Sequence, residues 1–162
     1  MPQFKKIIAS TDLSKLSLVG VRYAMEIGRD QGATVILYHV IDSEEELFSG
    51  RDDLNPAAAL VPRQRQRLLE FIKENCADLA GKVEVQQLVD LGVPYKKIVE
   101  RAEKEGADLI VLSTHGRTGL DQFIVGSVAQ RVVARAPCPV LSIRPAERHR
   151  GKKTVRDANN RS

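Results

Sequence analysis

The stretch LIVLSTHGRTGLDQFIVGSVAQR (Leu109–Arg131) contains an apolar run, then a loop punctuated by glycines, then the start of a helix. Such a loop leaves main-chain N–H groups free and places them at the positive end of a helix dipole. A strand that leads through a loop into a helix is also the repeating unit of α/β folds. The stretch therefore predicts a fold class and an anion-binding loop, and nucleotide phosphates are the first anion to consider.

Strand and helix patterns alternate along the rest of the chain. Short apolar runs predict five strands, at residues 5–10, 33–41, 83–89, 108–112 and 139–143. Residues at helical spacing predict four helices between them, with faces made of Leu16, Gly20, Tyr23, Ala24 and Ile27, of Leu68, Leu69, Ile72, Cys76 and Leu79, of Ile98, Val99 and Ala102, and of Val128, Val132 and Val133. Gly32, Gly81 and Gly106 are predicted to end the first three helices and Pro137 the fourth.

Strands separated by helices predict a parallel sheet with right-handed crossovers. Nearly continuous apolar strands fit a sheet that is covered on both faces. The predicted fold is therefore α/β, an open parallel sheet of five strands with helices on both faces.

The composition is that of an ordinary globular protein, with 162 residues, 43% hydrophobic and 28% charged. No apolar run approaches the ~18 residues that cross a bilayer, and residues 1–7 lack the apolar core of a signal peptide. We therefore expect a cytoplasmic protein that does not associate with membranes. Cys76 and Cys138 are far apart in the sequence and predict neither a disulfide framework nor a metal pair.

The positive charge is concentrated at the end of the chain. Residues 147–162 carry six basic and two acidic side chains, a net charge of +4, which equals the net charge of the whole chain. We expect one α/β domain over residues 1–146 and a basic, disordered tail over residues 147–162. Weak attraction of this tail to nucleic acid or to acidic partners is the alternative.

In open α/β sheets, ligands bind beyond the carboxyl ends of the strands, where the winding direction reverses. If the first and fourth strands are neighbours, the loop Ser10–Ser14 faces the glycine-rich loop there. The sequence has neither G-x-x-x-x-G-K-[ST] nor G-x-G-x-x-G. The common phosphate fingerprints therefore do not decide the ligand.

The segment Ser113-Thr-His-Gly116, followed after nine residues by Gly126-Ser127, resembles the G-x2-G-x9-G-[ST] nucleotide motif of the universal stress protein family. The resemblance extends from Lys5 to Arg144 through KKIIASTD at 5–12, HVID at 39–42, GVP at 92–94, ADLIV at 107–111 and APCPVL at 136–141. It implies a homodimer of Rossmann-like subunits with strand order 3-2-1-4-5. It also implies ATP, with Mg²⁺, between strands one and four. The family includes members that do not bind nucleotides, so a module that acts through protein–protein interaction is the alternative.

The resemblance and the two facing loops imply a nucleotide site made of Ser10, Thr11, Asp12, Val40, Leu112, Ser113, Gly116, Arg117, Gly126, Ser127 and Val128. Asp12 is the candidate to contact the ribose or a magnesium-bound water, with capping of the first helix as its alternative role. Arg117 is the candidate to pair with the β or γ phosphate, and a solvated loop arginine is the alternative. Val40 resembles the family position whose main chain meets adenine.

The remaining motif residues each have two interpretations. Ser113 stands where nucleotide-binding members have their first glycine, so its side chain either obstructs the ligand or donates to a phosphate. Gly116 and Gly126 either leave room for phosphates or are ordinary turn glycines. Ser127 either contacts the phosphate or forms a capping box with Gln130.

Catalysis is not favoured by the sequence. His115 is interpreted as a spectator in its loop and His39 as a partly buried, hydrogen-bonded residue. Without a convincing general base, we expect a binding or signalling module with at most slow ATP hydrolysis. The acidic segment Ser43–Pro62 is expected to be a lid or a mobile connection near the crevice.

The last predicted strand, Pro139–Ile143, lies at a sheet edge. An unprotected edge favours pairing with another chain, and the resemblance implies a symmetric homodimer through this strand. The alternative is an edge protected by Pro139, Pro145 and the tail.

Overall fold

The computed structural model describes residues 3–48, 56–114 and 126–145. Its elements are β1 (Lys6–Ser10), α1 (Lys15–Gln31), β2 (Thr34–Asp42), α2 (Ser43–Phe48), α3 (Pro56–Asn75), a 3₁₀ turn (Ala77–Leu79), β3 (Val85–Gly92), α4 (Pro94–Glu105), β4 (Leu109–Ser113), α5 (Ser127–Arg135) and β5 (Val140–Ile143). All strand pairings are parallel, and the order is β3-β2-β1-β4-β5. The predicted fold class and strand order are confirmed.

The sheet changes its winding direction at its centre. β1 pairs with β2 on one side, up to Ser10 opposite Tyr38, and with β4 on the other, up to Ala9 opposite Val111. The carboxyl ends of β1 and β4 therefore flank the place where ligands of open α/β sheets bind.

Helices cover both faces of the sheet. Successive residues of β1 illustrate this, because Ile7 packs with α1 on one face and Ile8 packs with α4 and α5 on the other, both fully buried. A third group of apolar side chains lies where β2 and β3 end and α3 crosses them. We call it the α3 cluster, and its members are Ile41, Leu60, Leu68 and Val89, with Leu13, Val61, Ile72 and Leu91 packed against them.

Helix α1 is rotated relative to the sequence prediction. Leu16 and Tyr23, expected on its buried face, are 36% and 50% exposed. Gly20 and Ala24 of the predicted face are buried, and Ser17, Val21, Met25 and Gly28 are buried beside them in place of Leu16 and Tyr23. A Cβ at position 28 would lie 2.5 Å from the Val35 side chain, so these glycines allow a close approach of helix and sheet. Val133 of α5 is likewise exposed, at 55%.

The segment Ser43–Pro62 contains helix on both sides of residues 49–55, which lie outside the described residues. The described ranges therefore hold one helix more than the four predicted. Glu44, Glu45 and Glu46 occupy the first turn of α2, where carboxylates interact favourably with the helix dipole. Helix α3 begins at Pro56 and continues through Ala57–Ala59, residue types that suit a helix start and a helix interior.

Helix ends follow the predictions in part. Gly32 and Gly106 adopt the left-handed conformation, with φ of 66° and 61°, at the ends of α1 and α4 as predicted. The prediction that Gly81 ends the second helix is wrong, because α3 ends at Asn75 and Gly81 lies in the turn after the 3₁₀ segment. Within the described ranges, no helix is both long enough and apolar enough to cross a bilayer.

Candidate functional site

A cavity of about 350 Å³ opens at the carboxyl ends of β1 and β4. This volume is in the range of small-ligand sites. The predicted residues that line it are Ser10, Thr11, Asp12, Val40, Leu112, Ser113, Gly126, Ser127 and Val128. Gly116 and Arg117, and also His115, lie outside the described residues.

The β1–α1 loop is held by buried polar groups. Thr11, Ser17 and His39 are each at most 5% exposed. The hydroxyls of Thr11 and Ser17 are 2.8 Å apart, and His39 Nδ1 donates to the Thr11 carbonyl over 2.9 Å. The interpretation of His39 as a hydrogen-bonded residue is confirmed, although it is more deeply buried than expected.

Asp12 lies in this loop on the cavity wall, and its Oδ1 accepts from Ser14 N at 2.9 Å. The N-cap of α1 is Ser14, whose side chain accepts from Ser17 N at 3.1 Å. The alternative role of Asp12 as the helix cap is therefore wrong. The carboxylate shapes the turn that precedes the helix.

The main chain of Val40 points into the crevice. Thr34 N donates to Lys5 O, and Thr11 N donates to Tyr38 O, so the main-chain groups of the even-numbered residues of β2 face β1. In a parallel strand, residues i and i+2 direct both N–H and C=O to the same side. Because β1 ends opposite Tyr38, the polar groups of Val40 lie beyond its end.

Ser113 borders the cavity, but its hydroxyl is directed to α1. Gly20 N donates to Ser113 Oγ at 3.1 Å, and this oxygen also lies 3.5 Å from Ser17 O. A Cβ at position 20 would be 2.9 Å from Ser113 Oγ. The serine at the first motif position is therefore accommodated by a glycine in α1.

The N-terminus of α5 forms the opposite wall. Gly126 is the N-cap and has no side-chain cap, so the predicted capping box of Ser127 with Gln130 is wrong. Ser127 is instead the first helical residue, and it is exposed on the cavity wall. The N–H groups of the N-cap and of the first three helical residues have no intrahelical acceptor.

Gly126 is required by a close approach and not by an unusual backbone angle. Its φ is −50°, its N–H donates to Thr114 O at 2.9 Å, and a Cβ there would lie 2.7 Å from the same oxygen. The glycine-rich loop is expected to leave its main-chain N–H groups unbonded, and for the N–H of Gly126 this expectation is wrong. The amides of Ser127, Val128 and Ala129 follow it at the cavity wall.

The walls differ in polarity. Pro94, Ile98 and Leu112 provide apolar surface beside Val40. Four acidic residues line the cavity, Asp12, Asp42, Glu45 and Glu46, and no lysine or arginine of the described ranges does so. Within those ranges, no group of three or more His, Cys, Asp or Glu side chains could hold a metal ion.

An ionic network supports the apolar wall from behind. The buried Tyr38 donates its hydroxyl to Asp90 Oδ2 at 2.6 Å, and Arg101 donates to the same oxygen at 2.7 Å while it lies over the Tyr38 ring. Burial and then the contact with Asp90 raise the pKa of Tyr38. Burial opposes ionisation of Asp90, but the hydrogen bonds from Tyr38 and Arg101 outweigh it and keep the pKa of Asp90 below its usual value.

Several lining residues were not predicted from the sequence. Gln64 of α3 and Pro94 and Ile98 of α4 line the cavity. Pro94 had an available signal, because it follows the end of a predicted strand and opens a helix. Gln64 had none, since its position depends on how α3 crosses the sheet.

Comparison with known proteins identifies the family. The universal stress protein family matches residues 3–144. The chain belongs to this family. Universal stress protein MJ0531 of Methanocaldococcus jannaschii is 35% identical over 142 residues, which is 87% of this chain and 82% of that protein.

Solved structures of universal stress proteins have the same fold. The structure of MJ0577 from the same organism matches with a TM-score of 0.73 at 28% identity and covers 90% of this chain and 99% of that one. A universal stress protein in complex with cAMP matches with a TM-score of 0.63 at 22% identity, covering 90% and 100%. The universal stress protein from Archaeoglobus fulgidus in complex with dAMP matches with a TM-score of 0.59 at 19% identity, and the match covers 87% of this chain and 98% of that one.

Proposed function

We propose that this universal stress protein binds an adenine nucleotide, as Mg-ATP, in the cavity between β1 and β4. The observation that carries the proposal is that the Val40 main chain and the N-terminal amides of α5 face one cavity from opposite sides. The first suits the hydrogen-bonding edge of a base, and the second suits phosphate oxygens. Structural neighbours in complex with cAMP and dAMP support the adenine class.

Each predicted residue has a role in this proposal. Adenine would lie against Leu112 and the Val40 main chain, and the ribose would lie near Asp12 and the Ser10–Thr11 end of β1. The phosphates would lie at Ser127 and Val128, where Gly126 keeps the helix start close to β4. Arg117, Gly116 and Ser113 would complete the loop around them.

Magnesium fits the donor set as an ion that arrives with the nucleotide. Mg²⁺ is usually held by one or two carboxylates together with substrate phosphates and waters. Asp12 is the carboxylate closest in sequence to the end of β1, and it lines the cavity.

In this proposal the protein is a dimeric, cytoplasmic signalling module of the stress response and not a dedicated hydrolase. The described cysteines are both free, which suits a reducing compartment. Residues 1–146 would form the functional domain and residues 147–162 a basic tail. A nucleotide-independent interaction module was favoured only by Ser113, and the direction of its hydroxyl toward α1 weakens that argument.

Ser127→Asp tests the phosphate position. Ser127 is exposed at the first position of α5, where a carboxylate is favourable for the helix but would repel a phosphate. We expect the affinity for Mg-ATP, measured by titration calorimetry, to fall at least about tenfold, or 1.4 kcal/mol. A substitution at Gly126 would be a poorer test, because any Cβ there meets Thr114 O at 2.7 Å.

Ser127→Asn is the matched control, since it has the same shape without the charge and should bind within about threefold of the wild type. Repeating the titration with EDTA tests the role of magnesium. Equal affinities of the Asp and Asn variants would contradict the phosphate position. A wild-type protein that binds no adenine nucleotide would favour the interaction module.

A further inference from the structure

Leu13 has a backbone conformation that L-amino acids rarely adopt. Its φ is 65°, and no other non-glycine residue of the described ranges has a positive φ. The left-handed region is sterically unfavourable for a residue with a branched side chain, so surrounding contacts must hold it there. Leu13 lies between Asp12 and the cap of α1, directly beside the cavity.

Two kinds of contact hold Leu13. Its N–H donates to Thr11 Oγ1 at 3.0 Å, inside the buried polar group of the loop. Its side chain packs against the α3 cluster, whose buried members include Leu60 and Leu68. The backbone therefore turns so that residue 13 meets the α3 cluster while its neighbour, residue 12, borders the cavity.

Three residues of the cavity lining belong to the α3 cluster or lie near its residues in the sequence. Asp12 precedes Leu13 in the loop, Ile41 belongs both to the cluster and to the cavity lining, and Gln64 lies on α3 between Leu60 and Leu68. Helix α3 contacts the sheet at β2 and β3, and Leu13 connects the loop after β1 to the apolar cluster that α3 shares with these strands.

We propose that Leu13 is a positioning residue that couples the β1–α1 loop to α3. Its apolar anchor fixes Asp12 and Gln64 relative to each other across the cavity. With the proposed function, on which this part rests, the anchor sets nucleotide affinity, and nucleotide binding stabilises α3.

Two substitutions separate the anchor from the backbone angle. Leu13→Asn removes the apolar anchor but suits the left-handed conformation, because asparagine tolerates it. Leu13→Met keeps an apolar side chain of similar volume. Mg-ATP affinity is measured by calorimetry, and hydrogen exchange of residues 56–75 is measured with and without Mg-ATP.

We expect Leu13→Asn to lose at least about tenfold in affinity and Leu13→Met to remain within about threefold of the wild type. Without ligand, exchange in α3 should be faster in Leu13→Asn than in Leu13→Met. Leu109→Ala is the control for general destabilisation, because Leu109 is 4% exposed and begins β4 at the end of the sheet away from the cavity. Leu13→Ala replaces Leu13→Asn if circular dichroism shows that the latter does not fold.

The proposal is overturned if the amides of α3 exchange at the same rate in Leu13→Asn as in the wild type. It is overturned as well if Leu109→Ala accelerates exchange in α3 as much as Leu13→Asn does. It is also overturned if the affinity falls without any change in α3. If the wild type binds no nucleotide, the proposed function fails, and the exchange of the ligand-free variants alone still decides whether Leu13 couples the loop to α3.

Discussion

At the scale of single residues, Asp90 connects a buried phenol to a cation behind the cavity wall. Two donors, Tyr38 Oη and an Arg101 nitrogen, reach the same carboxylate oxygen at 2.6 and 2.7 Å. Hydrogen bonds to charged groups contribute more to stability than neutral ones. The ionised form of Asp90 therefore stabilises the contact of β2 with α4.

We expect Asp90→Asn to lower the free energy of unfolding by about 1–3 kcal/mol at pH 7. Because the folded-state pKa of Asp90 is lowered, its contribution is present above its unfolded pKa of about 4 and is lost as the pH falls through the folded value. Urea denaturation at pH 7, 5 and 3 should therefore show a difference in the free energy of unfolding between the wild type and Asp90→Asn that becomes smaller at pH 3.

Asp30→Asn is the control for this prediction. Asp30 also pairs with an arginine, Arg29, but its side chain is 64% exposed, so solvent screens the interaction and little change is expected. If Asp90→Asn lowers the free energy of unfolding by the same amount at pH 3 and pH 7, the charge of the Asp90 carboxylate does not contribute to the stability of the network.

At the scale of elements, α1 and β4 fit together through Gly20 and Ser113. Glycine inside a helix is usually unfavourable by about 1 kcal/mol relative to alanine. Here the missing Cβ leaves room for the Ser113 hydroxyl, which would lie 2.9 Å from it, and for the Ser113 and Leu112 main chain at 3.2 and 3.3 Å. Gly20 therefore lowers the intrinsic stability of α1 but allows a close contact between α1 and β4 beside the cavity.

Gly20→Ala should accordingly destabilise the protein, by about 1–3 kcal/mol, instead of stabilising it as in an open helix. Adding Ser113→Ala removes the nearest atom, so the double variant should be more stable than the sum of the single effects by about 1 kcal/mol. Chemical denaturation of the four proteins gives this coupling energy. Additive effects would mean that the main-chain contacts alone require the glycine.

At the scale of the whole molecule, β5 is the last strand of the sheet, and no strand of the described ranges pairs with its outer side. Ile110 N donates to Pro139 O and Thr114 N to Ile143 O, so the odd-numbered residues of β5 face β4. The main-chain groups of Val140 and Ser142 therefore point away from the sheet. An edge of this kind favours pairing with a second copy of the chain.

The homodimer proposed through this strand can be tested with Ser142→Pro. Proline removes one outward N–H and is tolerated on an edge strand, and Ser142 is exposed. We expect the dimer dissociation constant, measured by sedimentation equilibrium, to rise at least about tenfold, while Ser142→Ala leaves it unchanged. A dimer that survives Ser142→Pro would place the subunit contact elsewhere.

The sequence by itself determined the α/β class, the end of the sheet at which the cavity lies and the family. These depend on local signals, such as apolar strands buried on both faces, glycine in the left-handed conformation at Gly32 and Gly106, and the spacing from Ser113 to Gly126. Local signals can be read along the chain because each reflects a period or a turn of a few residues.

Only the tertiary structure decided what the site residues contact. Ser113 meets Gly20 across 93 residues, and Leu13 packs against a cluster that includes Leu60 and Leu68, two residues of a helix whose start the sequence did not predict. Ser127 looked like a capping residue, but the helix begins one residue earlier than a cap there requires. Such contacts depend on which elements become neighbours and how each helix is rotated against the sheet, and that is fixed by packing of the whole core.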